Sequence, residues 1–257
     1  MFEPIDVSRL PADRDTAVSE VLAFMVDARA QLHRNATAPS KQVDGAVPDN
    51  PFSSTIANGR RALLASPGMI RVQPPPARGF TLVVKHNAAF TALLPELSSR
   101  LRVLALVRHP LSVLASWNSV DLPVSHGRLP AGERFDPALA RALEPQADLL
   151  TRQLLVLDWF YSRFERILPA SSILRYEEVV ESQGAVLRTS AGLEGGSVAG
   201  LSERNASALY SRAAIPALVD ALVRKPGRWQ HWYPVETIAP LAHRMLRAAH
   251  AGGAACR

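Results

Sequence analysis

The chain of 257 residues contains a single cysteine, Cys256. That count excludes an internal disulfide and any metal site built on several thiolates. It suits a reducing compartment, and the expected location is cytoplasmic. Long apolar runs are also missing, since no stretch reaches the roughly 18 residues that a membrane span requires. The opening residues, Met1-Phe2-Glu3-Pro4-Ile5-Asp6, are acidic and lead into no apolar segment, unlike a secretory signal. There is no internal repeat and no extended low-complexity tract, which excludes solenoids and fibrous arrays. Acidic side chains are in the minority, 23 against 29 basic ones, which leaves a net charge of +6. That excess fits an anionic ligand, and it fits equally a chain that is rich in Ala, Arg, Leu and Pro throughout.

What is present is ordinary for a globular protein: 47% hydrophobic and 20% charged residues, enough for one α/β domain with a sizeable core. The stretch 101–117 organises it. Val103 to Val107 is a short, nearly continuous apolar run, which predicts a strand buried on both faces. Arg108 and His109 end it. Pro110 then stands where a first helical residue would, with φ preset and no N–H to leave unbonded. Leu111, Leu114 and Ala115 follow at helical spacing. Strand, tight turn and helix place Arg108 at a strand's carboxyl end, beside the amide groups and partial positive charge of a helix start. Ser112 and Ser116 are four apart and share one helix face. A phosphate-sized anion fits such a corner. The other reading pairs Arg108 with an acidic side chain and leaves both serines bonded to nearby carbonyls.

Arg108-His109-Pro110, with Ser116 eight residues after the arginine, resembles the 3′-phosphate-binding segment of the sulfotransferases, which use 3′-phosphoadenosine 5′-phosphosulfate (PAPS). The resemblance implies that Arg108 and Ser116 hold the nucleotide's 3′-phosphate. Two later segments are similar to the same family. Ile173-Leu174-Arg175-Tyr176-Glu177-Glu178 resembles its strand ending in Tyr-Glu-Asp, which would put Tyr176 beside the adenine. Arg224-Lys225-Pro226-Gly227-Arg228-Trp229 resembles its C-terminal Arg-Lys-Gly loop, so Arg224, Lys225 and Gly227 would close over the phosphate. Pro226 stands in place of a glycine there and removes one amide donor. Earlier, 80–85 predicts a strand ending in Lys85-His86-Asn87. In the family a histidine close to this point is the general base. His86 has the chemistry for that role, Lys85 could face the developing charge of the sulfuryl group, and a histidine that merely satisfies a turn carbonyl is the alternative.

The family also has a glycine-rich turn after its first strand that holds the 5′-phosphosulfate, and this chain has no such segment. Phe2-Glu3-Pro4 is similar to a Glu-Pro after the second strand of bacterial members. The expectation is therefore one sulfotransferase-like domain over 1–257: an α/β, P-loop NTPase-like fold with a parallel sheet flanked by helices, incomplete at the start, without its first strand and P-loop. The implied activity is transfer of a sulfuryl group from PAPS to a hydroxyl or amine of a small-molecule or carbohydrate acceptor, impaired if that turn is missing. No metal, nucleic acid or membrane span is implied, and self-association is left open. The alternatives are a non-catalytic relative that binds a nucleotide or an anionic glycan, and a fragment of a P-loop kinase fold.

Elsewhere, the spacing of Val18, Val21, Leu22, Met25, Ala28 and Leu32 predicts a helix over 15–33. A loop is expected over 35–52, a helix over 51–64 and another over 88–97. Proline and glycine over 121–145 suggest a long excursion. The apolar stripe from Leu150 to Phe164 predicts a core helix over 146–167. Helices are further expected over 185–193, 215–223 and from about 235 to 250, with a loop at Gly195-Gly196-Ser197.

Overall fold

The computed structural model describes residues 5–57, 59–193 and 200–253, so the expectations at Phe2-Glu3-Pro4, Gly195-Gly196-Ser197 and Cys256 lie outside the described residues. Helix α1 (Arg14–Asn35) starts on Asp13, whose carboxylate accepts from the Thr16 amide. Strands β1 (Thr37–Gln42) and β2 (Ser66–Arg71) form an antiparallel pair, with Thr37 opposite Arg71. Helices α2 (Asn87–Ala92) and α3 (Leu94–Ser98) precede strand β3 (Ala105–Val107) and helix α4 (Pro110–Trp117). Then come α5 (Pro130–Phe135), α6 (Pro137–Leu143) and the long α7 (Leu149–Ile167). Strand β4 (Ile173–Arg175) runs directly into α8 (Tyr176–Glu181), and α9 (Ala185–Ala191), α10 (Ile215–Arg224) and α11 (Ile238–Gly253) follow.

The result is a helix-rich α/β arrangement with a small parallel sheet, in which β3 pairs with β4, Ala105 against Ile173 and Val107 against Arg175. The largest core cluster joins Val107 and α4 to α7, α10 and α11 through Leu111, Leu114, Leu157, Leu218, Leu222 and Met245. Burial of this apolar area, worth about 25 cal/mol per Å2, fixes the sheet edge against the helices. A second cluster packs α1 against α2 and α3 through Val18, Val21, Ala92 and Leu97.

Several expectations are corrected. Leu106 is 52% exposed, so β3 is not buried on both faces. Residues 80–85 form no strand among the described residues, and Val83 is 72% exposed. The expected loop 35–52 contains β1, whose polar sequence carries no period-2 signal and which is ordered by its pairing with β2. The expected helix 51–64 is instead irregular, held by the bridges Phe52–Leu63, Ala57–Arg60 and Arg61–Val120. Its Ser-Ser-Thr run favours turns over helix, and Gly59 has φ +76°. The excursion 121–145 holds two α-helices after a 3-10 turn at Pro123–His126, because Pro130 and Pro137 act as first helical residues rather than breakers and Phe135, Leu139 and Leu143 are buried.

Candidate functional site

Both parallel strands end in a polar residue that meets the other's. The Arg108 guanidinium carbon lies 4.8 Å from the centre of the Tyr176 ring. The sheet register dictates this meeting, because Val107 pairs with Arg175 and each strand then turns into a helix. Segment 200–210 covers the same edge. Arg108 Nε donates to Asn205 Oδ1 at 2.7 Å, and its terminal nitrogen donates to the Arg204 carbonyl and, at 3.2 Å, to the Tyr210 hydroxyl. The Tyr176 hydroxyl accepts from the Arg204 amide at 2.9 Å.

The three acceptors of Arg108 among the described residues are uncharged, so no described carboxylate pairs with it directly. Carboxylates act one step removed: Asn205, 2% exposed, donates from Nδ2 to Glu177 Oε1 at 2.6 Å and from its backbone amide to Glu203 Oε1 at 2.7 Å. Glu177 Oε2 in turn accepts from the Tyr233 hydroxyl at 2.7 Å. Burial, and then that carboxylate, push the Tyr233 phenol far above its usual range, so it stays a donor. Tyr161 from α7 donates to the Arg108 carbonyl, which pins the backbone at the strand end.

The start of α4 is less open than its sequence suggests. His109 Nδ1 accepts from the Leu111 amide at 3.3 Å, and its Nε2 lies 3.1 Å from Thr237 Oγ1. Burial pushes this histidine down to about 4, so the ring is neutral at pH 7. Ser112, fully buried, donates to the Asn205 carbonyl at 3.1 Å. Ser116 instead opens on a second feature, a cleft of about 340 Å3 that it lines together with Lys41, Arg61 and Lys85. Tyr210, which accepts from Arg108, also lies near Arg61, whose guanidinium is pulled below its usual range by burial against a smaller opposing influence of Tyr210.

His86 does not face this cleft as a free base. It is 7% exposed and caps α2, its Nδ1 accepting from the Ala89 amide at 3.4 Å. Burial outweighs the nearby Ile5 carbonyl and pushes it down to about 4. It takes up a helix-start amide. Lys85 is exposed and lines the cleft.

The C-terminal turn is engaged elsewhere. Arg224 pairs with Asp220 at 2.7 Å and Lys225 donates to the Thr151 hydroxyl. Gly227 lies against Asp158, where an added Cβ would come within 2.8 Å of the carboxylate. Thr151 is ten residues before Tyr161 on α7, a run of about 15 Å. None of these partners belongs to the Arg108–Tyr176 group.

The structure thus brings together Arg108 and Tyr176, and Lys85 with Ser116. It adds Arg61, Asn205 and Tyr210, which no sequence motif marks, and gives a partner to Glu177 of the Tyr176-Glu177-Glu178 segment. Among the described residues no group of three or more His, Cys, Asp or Glu side chains is placed to hold a metal ion, and no helix is long and apolar enough to cross a membrane. Compared with protein-family models, curated proteins and solved structures, the chain matches none of them, and the site rests on its own geometry.

Proposed function

We propose that this chain is a sulfotransferase-like protein of the P-loop NTPase-like class that binds an adenine nucleotide bearing a 3′-phosphate. The carrying observation is the charged Arg108 guanidinium, whose hydrogen-bond acceptors among the described residues are all uncharged and which lies over the Tyr176 ring at the ends of two parallel strands. Arg108 offers the phosphate a planar, permanently charged donor. Tyr176 offers the base an aromatic neighbour. Ser116 and Lys85 supply a hydroxyl donor and positive charge at the neighbouring cleft.

The reaction is sulfuryl transfer to a hydroxyl or amine. PAPS supplies the activated group: the bond from sulfur to the phosphate oxygen breaks, sulfur bonds to the acceptor atom, and 3′,5′-ADP leaves with the electron pair. Lys85, in the cleft, opposes the charge that develops on the bridging oxygen. The acceptor proton passes to water.

A second reading, a non-catalytic nucleotide binder, draws on one observation. The histidine expected to act as base is buried and caps a helix.

Calorimetry with 3′,5′-ADP and 5′-AMP tests the binding claim. The bisphosphate should bind at least about tenfold more tightly, a difference of about 1.4 kcal/mol, and Arg108→Ala should abolish the preference. Equal affinities would sink the reading. Radiolabelled PAPS with a panel of phenols, sugars and amines separates enzyme from binder.

A further inference from the structure

Arg61 is the least explained charge in the molecule. It is 7% exposed, and its backbone is fixed to the segment after α4, its amide donating to the Ser119 carbonyl at 2.9 Å. One terminal nitrogen donates to Ser119 Oγ at 3.2 Å, while its Nε is buried without a hydrogen-bond partner. No carboxylate pairs with it among the described residues. Its neighbour Arg60 takes Asp121 instead, at 2.7 Å. A buried guanidinium with unmet donors is costly unless a ligand meets them.

The cleft that Arg61 lines is chemically mixed. Val47, Pro48, Pro51 and Phe52 supply apolar surface, and the Arg61 guanidinium carbon sits 5.4 Å from the Phe52 ring centre. Lys41, Lys85 and Ser116 supply polar groups. Asp49 is the one acidic lining residue against three basic ones. An inorganic anion would use the charges and leave the apolar surface wet. A neutral apolar molecule would leave Arg61 unmet.

We propose that this cleft is the acceptor site and that its acceptor is an organic anion: a carboxylate held by Arg61, on an aromatic or aliphatic body packed against Phe52 and the prolines, with a hydroxyl to receive the sulfuryl group near Lys85. The acceptor role rests on the nucleotide reading above. The carboxylate-binding cleft rests on Arg61 alone. Planar guanidinium and planar carboxylate match in a two-point hydrogen bond that an amide cannot copy.

The probe pair is 4-hydroxybenzoate and its neutral isostere 4-hydroxybenzamide, titrated calorimetrically into the full chain with and without 3′,5′-ADP. The acid should bind at least about tenfold more tightly than the amide. Arg61→Gln should remove the preference while leaving 3′,5′-ADP affinity within about twofold. Should that variant fail to fold, Val47→Glu tests the same point from an exposed rim position, since Val47 is 56% exposed. It should weaken the acid several-fold and spare the amide. Equal binding of the pair, or no binding of either at millimolar concentration, overturns the proposal. So does loss of 3′,5′-ADP binding in Arg61→Gln with the acid unaffected, which would give the cleft to the nucleotide. A wild-type chain that prefers the acid but ignores 3′,5′-ADP leaves the carboxylate site standing and removes the nucleotide reading.

Discussion

Asn205 holds Arg108 in place: its Oδ1 accepts from the arginine Nε at 2.7 Å, while its Nδ2 donates to Glu177 at 2.6 Å. One buried amide thus separates a cation from an anion at the sheet edge and keeps the cation from being neutralised. Replacing Asn205 by Asp would set a carboxylate against both neighbours, cancelling Arg108 and opposing Glu177. We expect 3′,5′-ADP affinity to fall at least about tenfold and stability to fall by about 1–3 kcal/mol. Calorimetry and urea unfolding read the two effects separately. An Asn205→Asp chain with unchanged nucleotide affinity would remove Arg108 from the phosphate site.

Acid should destabilise the fold in a defined window. His86 and His109 are both buried, and burial pushes each down to about 4. An unfolded histidine titrates near 6.5. Between those values the unfolded chain binds protons that the folded one refuses. The histidine contribution to stability therefore falls as pH drops from about 6.5 to about 4 and changes no further below that, with each ring contributing roughly 3 kcal/mol at the acid end. His86→Asn keeps a helix-capping acceptor and removes one titration, so its urea midpoint should vary less steeply across that range.

Tyr233→Phe should loosen the sheet edge from behind. The lost hydroxyl bonds Glu177 at 2.7 Å and the Val107 carbonyl at 3.2 Å, and the ring itself is 1% exposed. Shape is kept while a buried carboxylate loses a donor, so the expected cost is about 1–3 kcal/mol in urea unfolding. A smaller effect would show that water replaces the phenol.

The C-terminal turn offers a negative control. Arg224→Ala and Lys225→Ala remove side chains held by Asp220 and Thr151, and 3′,5′-ADP affinity should stay within about twofold. Gly227→Ala should cost about 1–3 kcal/mol of stability through overpacking, because its new methyl would meet Asp158 and the Trp229 ring within 2.9 Å. Its φ of −146° is open to any residue, so the penalty comes from contact and not from backbone strain.

The strand–turn–helix at Arg108 was legible because its signals are local: an apolar run, a proline at the first helical position, then helical spacing. Tyr176 at the start of α8 was legible for the same reason, as was the core stripe of α7, where Leu154, Leu157 and Tyr161 are buried. Extended segments were harder. Residues 80–85 alternate as a strand would and find no partner, whereas Thr37–Gln42 shows no pattern and does. Strand pairing is settled by distant residues, so a window of six does not contain it. Arg61 and Asn205 left no trace either, because their importance lies in burial and in partners 58 and 97 positions away.

Ala105 and Ile173 pair across an interval of about a quarter of the chain. Closing so long an interval costs entropy before any contact repays it, which makes parallel pairing of this kind a slow step. Arg108 and Tyr176 are strangers until that step is complete. A ribosome must therefore deliver α4 to α7 and then β4 before Arg108 and Tyr176 can meet at one edge, and any probe that needs both side chains would report a late stage of assembly rather than the first.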